Sequence, residues 1–141
     1  MYNVEDVASY VLFYVWKRGH VVSVLQLMKM LYFVQANFLV VQKKPAFKEK
    51  IIAKEYGPVQ KEIWNKYLVY GNAFIPVLDK KEPRIMSNED KQCTMDIVES
   101  MLGYGNNALY EIIKNQKPYK KGLNNAPECE ITNAMLLEFF E

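Results

Sequence analysis

The run from Val24 to Val41 constrains this chain most. It is long enough to cross a bilayer, yet Gln26, Lys29, Gln35 and Asn37 interrupt it. Four polar groups, one a lysine near the middle, are too costly in hydrocarbon for a good span. The run therefore reads as a helix that other elements must wrap, apolar nearly all round and at the centre of its domain. Ser23 and Gln26 form an S-x-x-Q capping box at its start, with Val22 and Leu27 as the accompanying staple. Gln26, Lys29 and Asn37 fall on one narrow stripe at about 100° per residue, which we assign to water.

The other elements follow from this centre. Val4, Val7, Ala8, Val11, Leu12, Val15 and Trp16 have helical spacing. Asn3 caps that helix and Gly19 stops it. Ile51 to Tyr56 reads as a short strand. Pro58 reads as the first residue of a third helix that Gly71 ends. Phe74–Leu78 and Arg84–Met86 read as two strands joined at Asp79–Pro83, with Pro76 restricting its strand to an edge. Ser87 caps a fourth helix, and Asn106 or Asn107 a short fifth one broken by Lys117 and Pro118. Thr132 opens the last, with Ile131 and Leu136 as a staple. The expected fold is mainly α (α+β): one domain, residues 1–141, of about six helices around a buried central helix, with a small antiparallel β-hairpin or sheet. The chain contains 141 residues, enough for one such core.

The chemistry available is sparse. The single imidazole, His20, sits beside a helix stop and reads as an exposed loop residue. No HExxH motif, Walker A motif or G-x-S-x-G is present, and Gly103-Tyr104-Gly105 follows no apolar strand. Cys93 and Cys129 are far apart in sequence, which suits reduced thiols, and a mid-helix Cys93 reads as a small core hydrophobe. No catalytic residue, metal or cofactor is expected. The N-terminal acids Glu5 and Asp6, with no cleavage site beyond, argue against a signal peptide, so a cytoplasmic location is expected.

Charge points to a binding role. The net charge of +2 is too balanced for a dedicated nucleic-acid binder. Locally, seven Lys and three Glu lie between Lys43 and Lys66, four Lys between Lys114 and Lys121, and four Glu between Glu128 and Glu141. Most such runs are solvated faces. A helix-turn-helix reader suits the short link between the first two helices, but its second helix would be buried, not exposed to base edges. The most individual local feature is Tyr56-Gly57-Pro58-Val59, flanked by Lys54 and Lys61. A helix amino end there would offer free N–H groups to acidic side chains.

The stretch Leu25-Gln26-Leu27-Met28-Lys29-Met30-Leu31-Tyr32-Phe33-Val34-Gln35 resembles the L-x-L-x-K-L-L-Y-F-x-Q segment of the Panacea (SocA-like) antitoxin domain, a family common in bacterial and prophage genomes. Ala53, Tyr56-Gly57-Pro58-Val59, Trp64 and Tyr70-Gly71 are similar to its next landmarks. Asp6-Val7-Ala8-Ser9-Tyr10 and the final helix are similar to its two ends. Departures fall at Lys54, where the family has Trp, and at Ile113-Lys114 and Pro118-Tyr119, where it has T-H and P-W pairs. The resemblance implies a non-enzymatic, phage- or prophage-associated antitoxin that neutralises a cognate toxin by direct protein contact. The alternatives are a proteolytic adaptor, as in one branch of the family, and a nucleic-acid-binding regulatory protein. Membrane and nucleic acid are not expected partners, and no motif specifies the toxin or the oligomeric state. Candidate partner-binding residues are Lys29, Lys54, Tyr56, Gly57, Pro58, Val59, Trp64 and Tyr67.

Overall fold

The computed structural model describes residues 1–141. Seven α-helices and a three-stranded antiparallel sheet follow in the order α1 (Val4–Lys17), α2 (Val24–Asn37), β1 (Ile51–Lys54), β2 (Gly57–Val59), α3 (Lys61–Tyr67), α4 (Asn88–Glu99), α5 (Asn106–Ile113), α6 (Lys117–Leu123), β3 (Glu130–Ile131) and α7 (Asn133–Phe140).

Helix α2 is the hub. Every residue from Gln26 to Ala36 is buried, and α1, α3, α4, α5, α7 and β2 all pack against it. The capping box at Ser23 forms in both directions. After Asn37 the helix widens into one π-helical turn, Phe38–Gln42, closed by Lys43 in the left-handed conformation. By length and composition Val24–Gln42 could cross a membrane, but 72% of its most apolar window lies inside the fold. One core of 35 buried apolar residues runs through the domain.

The polar stripe of α2 is not wet, contrary to expectation. Gln26 donates to the Tyr104 carbonyl, Lys29 to Asn106 Oδ1 at 2.7 Å, and Asn37 to the Cys93 carbonyl at 3.0 Å. The stripe faces α4, α5 and the connection between them, where each polar group replaces water with a protein partner. Gln35, on another face, accepts from the Ala46 and Phe47 amides and donates to the Phe47 carbonyl, tying down the chain that leads to the sheet.

The sheet also differs from the expected one. It has the order β2-β1-β3, with Ile52 opposite Val59, Ala53 opposite Pro58 and Lys54 opposite Gly57. On the other edge Ile51 pairs with Ile131. Pro58 is therefore a strand residue, not the start of α3, which begins at Lys61 after Gln60. An edge strand tolerates its missing N–H. Phe74–Leu78 and Arg84–Met86 form no strands. They belong to an irregular strap anchored at Ile75, whose amide donates to the Val22 carbonyl, and at buried Met86. They join no sheet, so apolar β-forming side chains alone do not make a strand there.

Helix α6 was not anticipated. Helix α5 ends at Ile113, before Lys117-Pro118, and these two residues form the first turn of a new helix instead of a break. That helix presses on the sheet through Gly122, where a Cβ would fall 2.6 Å from Ile131 Cγ1 and 3.1 Å from Ala53 Cβ. Gly105, not Asn106 or Asn107, occupies the cap of α5, since Asn106 is engaged by Lys29. Asn3, Ser87 and Thr132 cap α1, α4 and α7 as expected.

Candidate partner-binding groove

The hairpin β1–β2 is closed by Glu55 and Tyr56, and the residue in the positive-φ region is the next one, Gly57, at φ 128°. Its lack of a side chain is required twice over. Beyond the backbone conformation, a Cβ there would lie 2.8 Å from Lys29 Cε and 3.1 Å from Lys29 Nζ. The lysine stem thus runs directly beneath the hairpin.

Two buried groups hold this turn from below. Lys29, 1% exposed, ends with its ammonium on Asn106 and 5.9 Å from the Tyr110 ring centroid. It has no carboxylate partner, and burial lowers its pKa to about 8. Tyr119, on α6, donates its hydroxyl to the Lys54 carbonyl and also lies 3.1 Å from the Glu55 carbonyl. Burial pushes its hydroxyl pKa up to about 12. Tyr110 meets Tyr119 edge to face at 6.4 Å. Sequence reasoning missed Tyr110, Asn106 and Tyr119, because their relation to the hairpin is purely tertiary.

On the outer side, the hairpin and α3 border an open groove of about 910 Å³. Ile52, Val59, Tyr56 and Trp64 supply its apolar lining, and Lys48, Lys50, Lys54 and Lys61 its cations. Tyr56 is 45% exposed, and Trp64 is half-buried. Of the residues expected to bind a partner, Lys54, Tyr56, Val59 and Trp64 thus line one groove. Lys29, Gly57 and Pro58 lie beneath it, and Val59 shows only 5% of its surface. These four are buried and shape the hairpin, Val59 at the floor of the groove, while Lys54, Tyr56 and Trp64 are its more accessible members. The idea of a helix amino end at Pro58 also falls, since Pro58 is in β2.

Tyr67 is elsewhere. It lines a second groove, of about 1100 Å³, between α1 and the strap, with Leu12, Phe13 and Tyr70. Burial raises its hydroxyl pKa.

The residues considered for catalysis do not converge. Cys93 is buried on α4, its sulfur 3.3 Å from Asn37 Nδ2, and burial pushes its pKa up to about 11. His20 is only part-exposed and lines a separate pocket of about 190 Å³. No group of three or more His, Cys, Asp or Glu side chains is placed to hold a metal ion.

Residues 27–120, two thirds of the chain, match the family model of the antitoxin SocA-like, Panacea domain. The chain belongs to this family. No curated protein and no solved structure matches it. In this Panacea domain the matched region spans α2 through the first half of α6. It contains Lys29, the hairpin and Trp64. The similarity noted at Asp6–Tyr10 and in the last helix lies outside the matched residues.

Proposed function

We propose that this Panacea-domain protein is a non-enzymatic antitoxin that neutralises a cognate toxin by direct contact, in the cytoplasm of a bacterial cell and in a phage or prophage setting. The family match carries this reading, and the groove between the hairpin and α3 is the surface that supports it best. Exposed Tyr and Trp side chains are typical anchors of protein interfaces: they bury large areas at little entropic cost. Tyr56, on a hairpin held from beneath by Lys29 and Tyr119, and Trp64, on α3, both line it. A pre-ordered surface reduces what association loses in conformational entropy. Bound in this way, the domain would cover the toxin's active surface without any chemistry of its own.

The test is co-expression with the small protein encoded by the adjacent reading frame. Expressed alone that protein should arrest growth, and this chain should restore it. Trp64→Ala and Tyr56→Ala should fold and weaken the complex by about 2 kcal/mol each, or roughly thirtyfold. A harmless neighbour refutes the antitoxin reading. Unchanged binding by both folded variants refutes the groove. Loss of the toxin from cells instead of its sequestration would favour the adaptor reading.

A further inference from the structure

The charges around the groove are unevenly committed. Lys50 pairs with Glu128 at 2.8 Å. Lys48, Lys54 and Lys61 take part in none of the ion pairs of the molecule, and all three are exposed. Among the lining acids, Glu49 accepts the Val4 amide at 2.9 Å and Glu128 is held by Lys50, which leaves Glu62 alone uncommitted. Three unpaired lysines therefore face two carboxylates without a cationic partner, Glu49 and Glu62, a small positive excess around an apolar lining of Ile52, Val59, Tyr56 and Trp64.

We propose that this groove receives an extended acidic segment of the partner protein, its carboxylates on Lys48, Lys54 and Lys61 and an apolar side chain between Tyr56 and Trp64. The proposal deepens the antitoxin reading and rests on it for the identity of the partner. Charge complementarity supplies its direction: an acidic segment meets a local positive excess and is steered to it. Alternation of charge in the lining favours a peptide over a nucleic-acid strand. A phosphate backbone carries a negative charge at every step and would run past Glu49, Glu62 and Glu128 as well as the lysines. A peptide places its carboxylates only where cations wait.

The experiment uses the full chain and short fluorescein-labelled probes: a peptide alternating Glu with Leu, its Lys-for-Glu counterpart, and an oligothymidylate. Binding is followed by fluorescence anisotropy at low and physiological salt. The acidic peptide should bind, weaken as salt is added, and lose at least about tenfold in affinity to a K48E/K54E/K61E variant. Lys54→Glu alone should show part of that loss, so the result does not depend on the triple variant folding. Wild-type protein that ignores the acidic peptide, or variants that bind it equally well, overturn the proposal. So does tighter binding of the oligothymidylate, which would make the groove a nucleic-acid surface. The two readings fail separately. If the adjacent toxin is neutralised by wild type and triple variant alike, the antitoxin reading stands and the acidic-segment inference falls. If the lysines bind acidic peptide but no neighbour is neutralised, the converse holds.

Discussion

Replacing Lys29 with Met tests the architecture beneath the hairpin. The side chains are similar in length, and Met removes only the charge and the donor to Asn106. A fall in pKa from the ordinary 10.5 to about 8 corresponds to about 3 kcal/mol that folding loses by burying the ammonium. Loss of the bond to half-buried Asn106 costs about 1 kcal/mol in return. Lys29→Met should therefore stabilise the protein at pH 7 by about 1–2 kcal/mol. The pH dependence gives the sharper check. The folded-state pKa lies below the unfolded one, so between about pH 8 and 10.5 the unfolded chain binds the proton that the folded chain has released, and wild-type stability rises with pH. By pH 9 this recovers about 1.4 kcal/mol, and the advantage of the variant should nearly vanish. Burial of Cys93 works in the opposite direction above pH 9, but it is common to both proteins and cancels. Urea unfolding followed by circular dichroism at pH 7 and pH 9 measures the difference. A gap that is the same at both pH values, or a variant weaker than wild type at pH 7, would show that Lys29 is not an uncompensated buried cation.

Four further outcomes follow from the same geometry. Gly57→Ala should cost about 1–3 kcal/mol, from the positive φ and the clash with Lys29; thermal unfolding reads it, and an unchanged midpoint would mean that the hairpin relaxes freely. Leu31→Ala, at a fully buried position of α2, should cost about 2–5 kcal/mol in the same assay. In maleimide labelling at neutral pH, half-exposed Cys129 should react and buried Cys93 only after denaturation. Burial pushes the Asp90 carboxyl up, but bonds from Tyr2 and Lys44 outweigh it and leave its pKa below the ordinary value. Its contribution is therefore present above about pH 4 and lost as the pH falls through the lowered value. Asp90→Asn should be weaker than wild type at neutral pH, with the gap closing in acid.

What the sequence made legible is what short range decides. The caps at Asn3, Ser23, Ser87 and Thr132 act on an amide three residues ahead, so the pattern carries its own geometry. The central place of α2 was legible too, because a helix apolar on all sides has only one stable location. The strands were not. Ile51 pairs with Ile131 across eighty residues, while the more strand-like Phe74–Leu78 finds no edge. Pro118 reads from sequence as a stop, yet it lies in the first turn of α6, a helix that packs on the sheet through Gly122. The same limit applied at the groove. Tyr56 and Trp64 could be named as surface residues from their neighbours in sequence, but Lys29 looked as though it faced water until its aim at Asn106 was known.

This division bears on what family membership means here. Among the residues that carry the resemblance, Lys29 and Gly57-Pro58-Val59 are buried and build or support the hairpin. The two aromatic departures meet in space, by contrast. The resemblance sets Lys54 and Tyr119 against tryptophans of the family pattern, and the Tyr119 hydroxyl donates to the Lys54 carbonyl. Two positions that look unrelated along the chain are thus one place in the fold, the rim of the groove and its support. Lys48, Lys54 and Lys61 are exposed, so substituting them leaves the buried Lys29 and Gly57 beneath the hairpin in place.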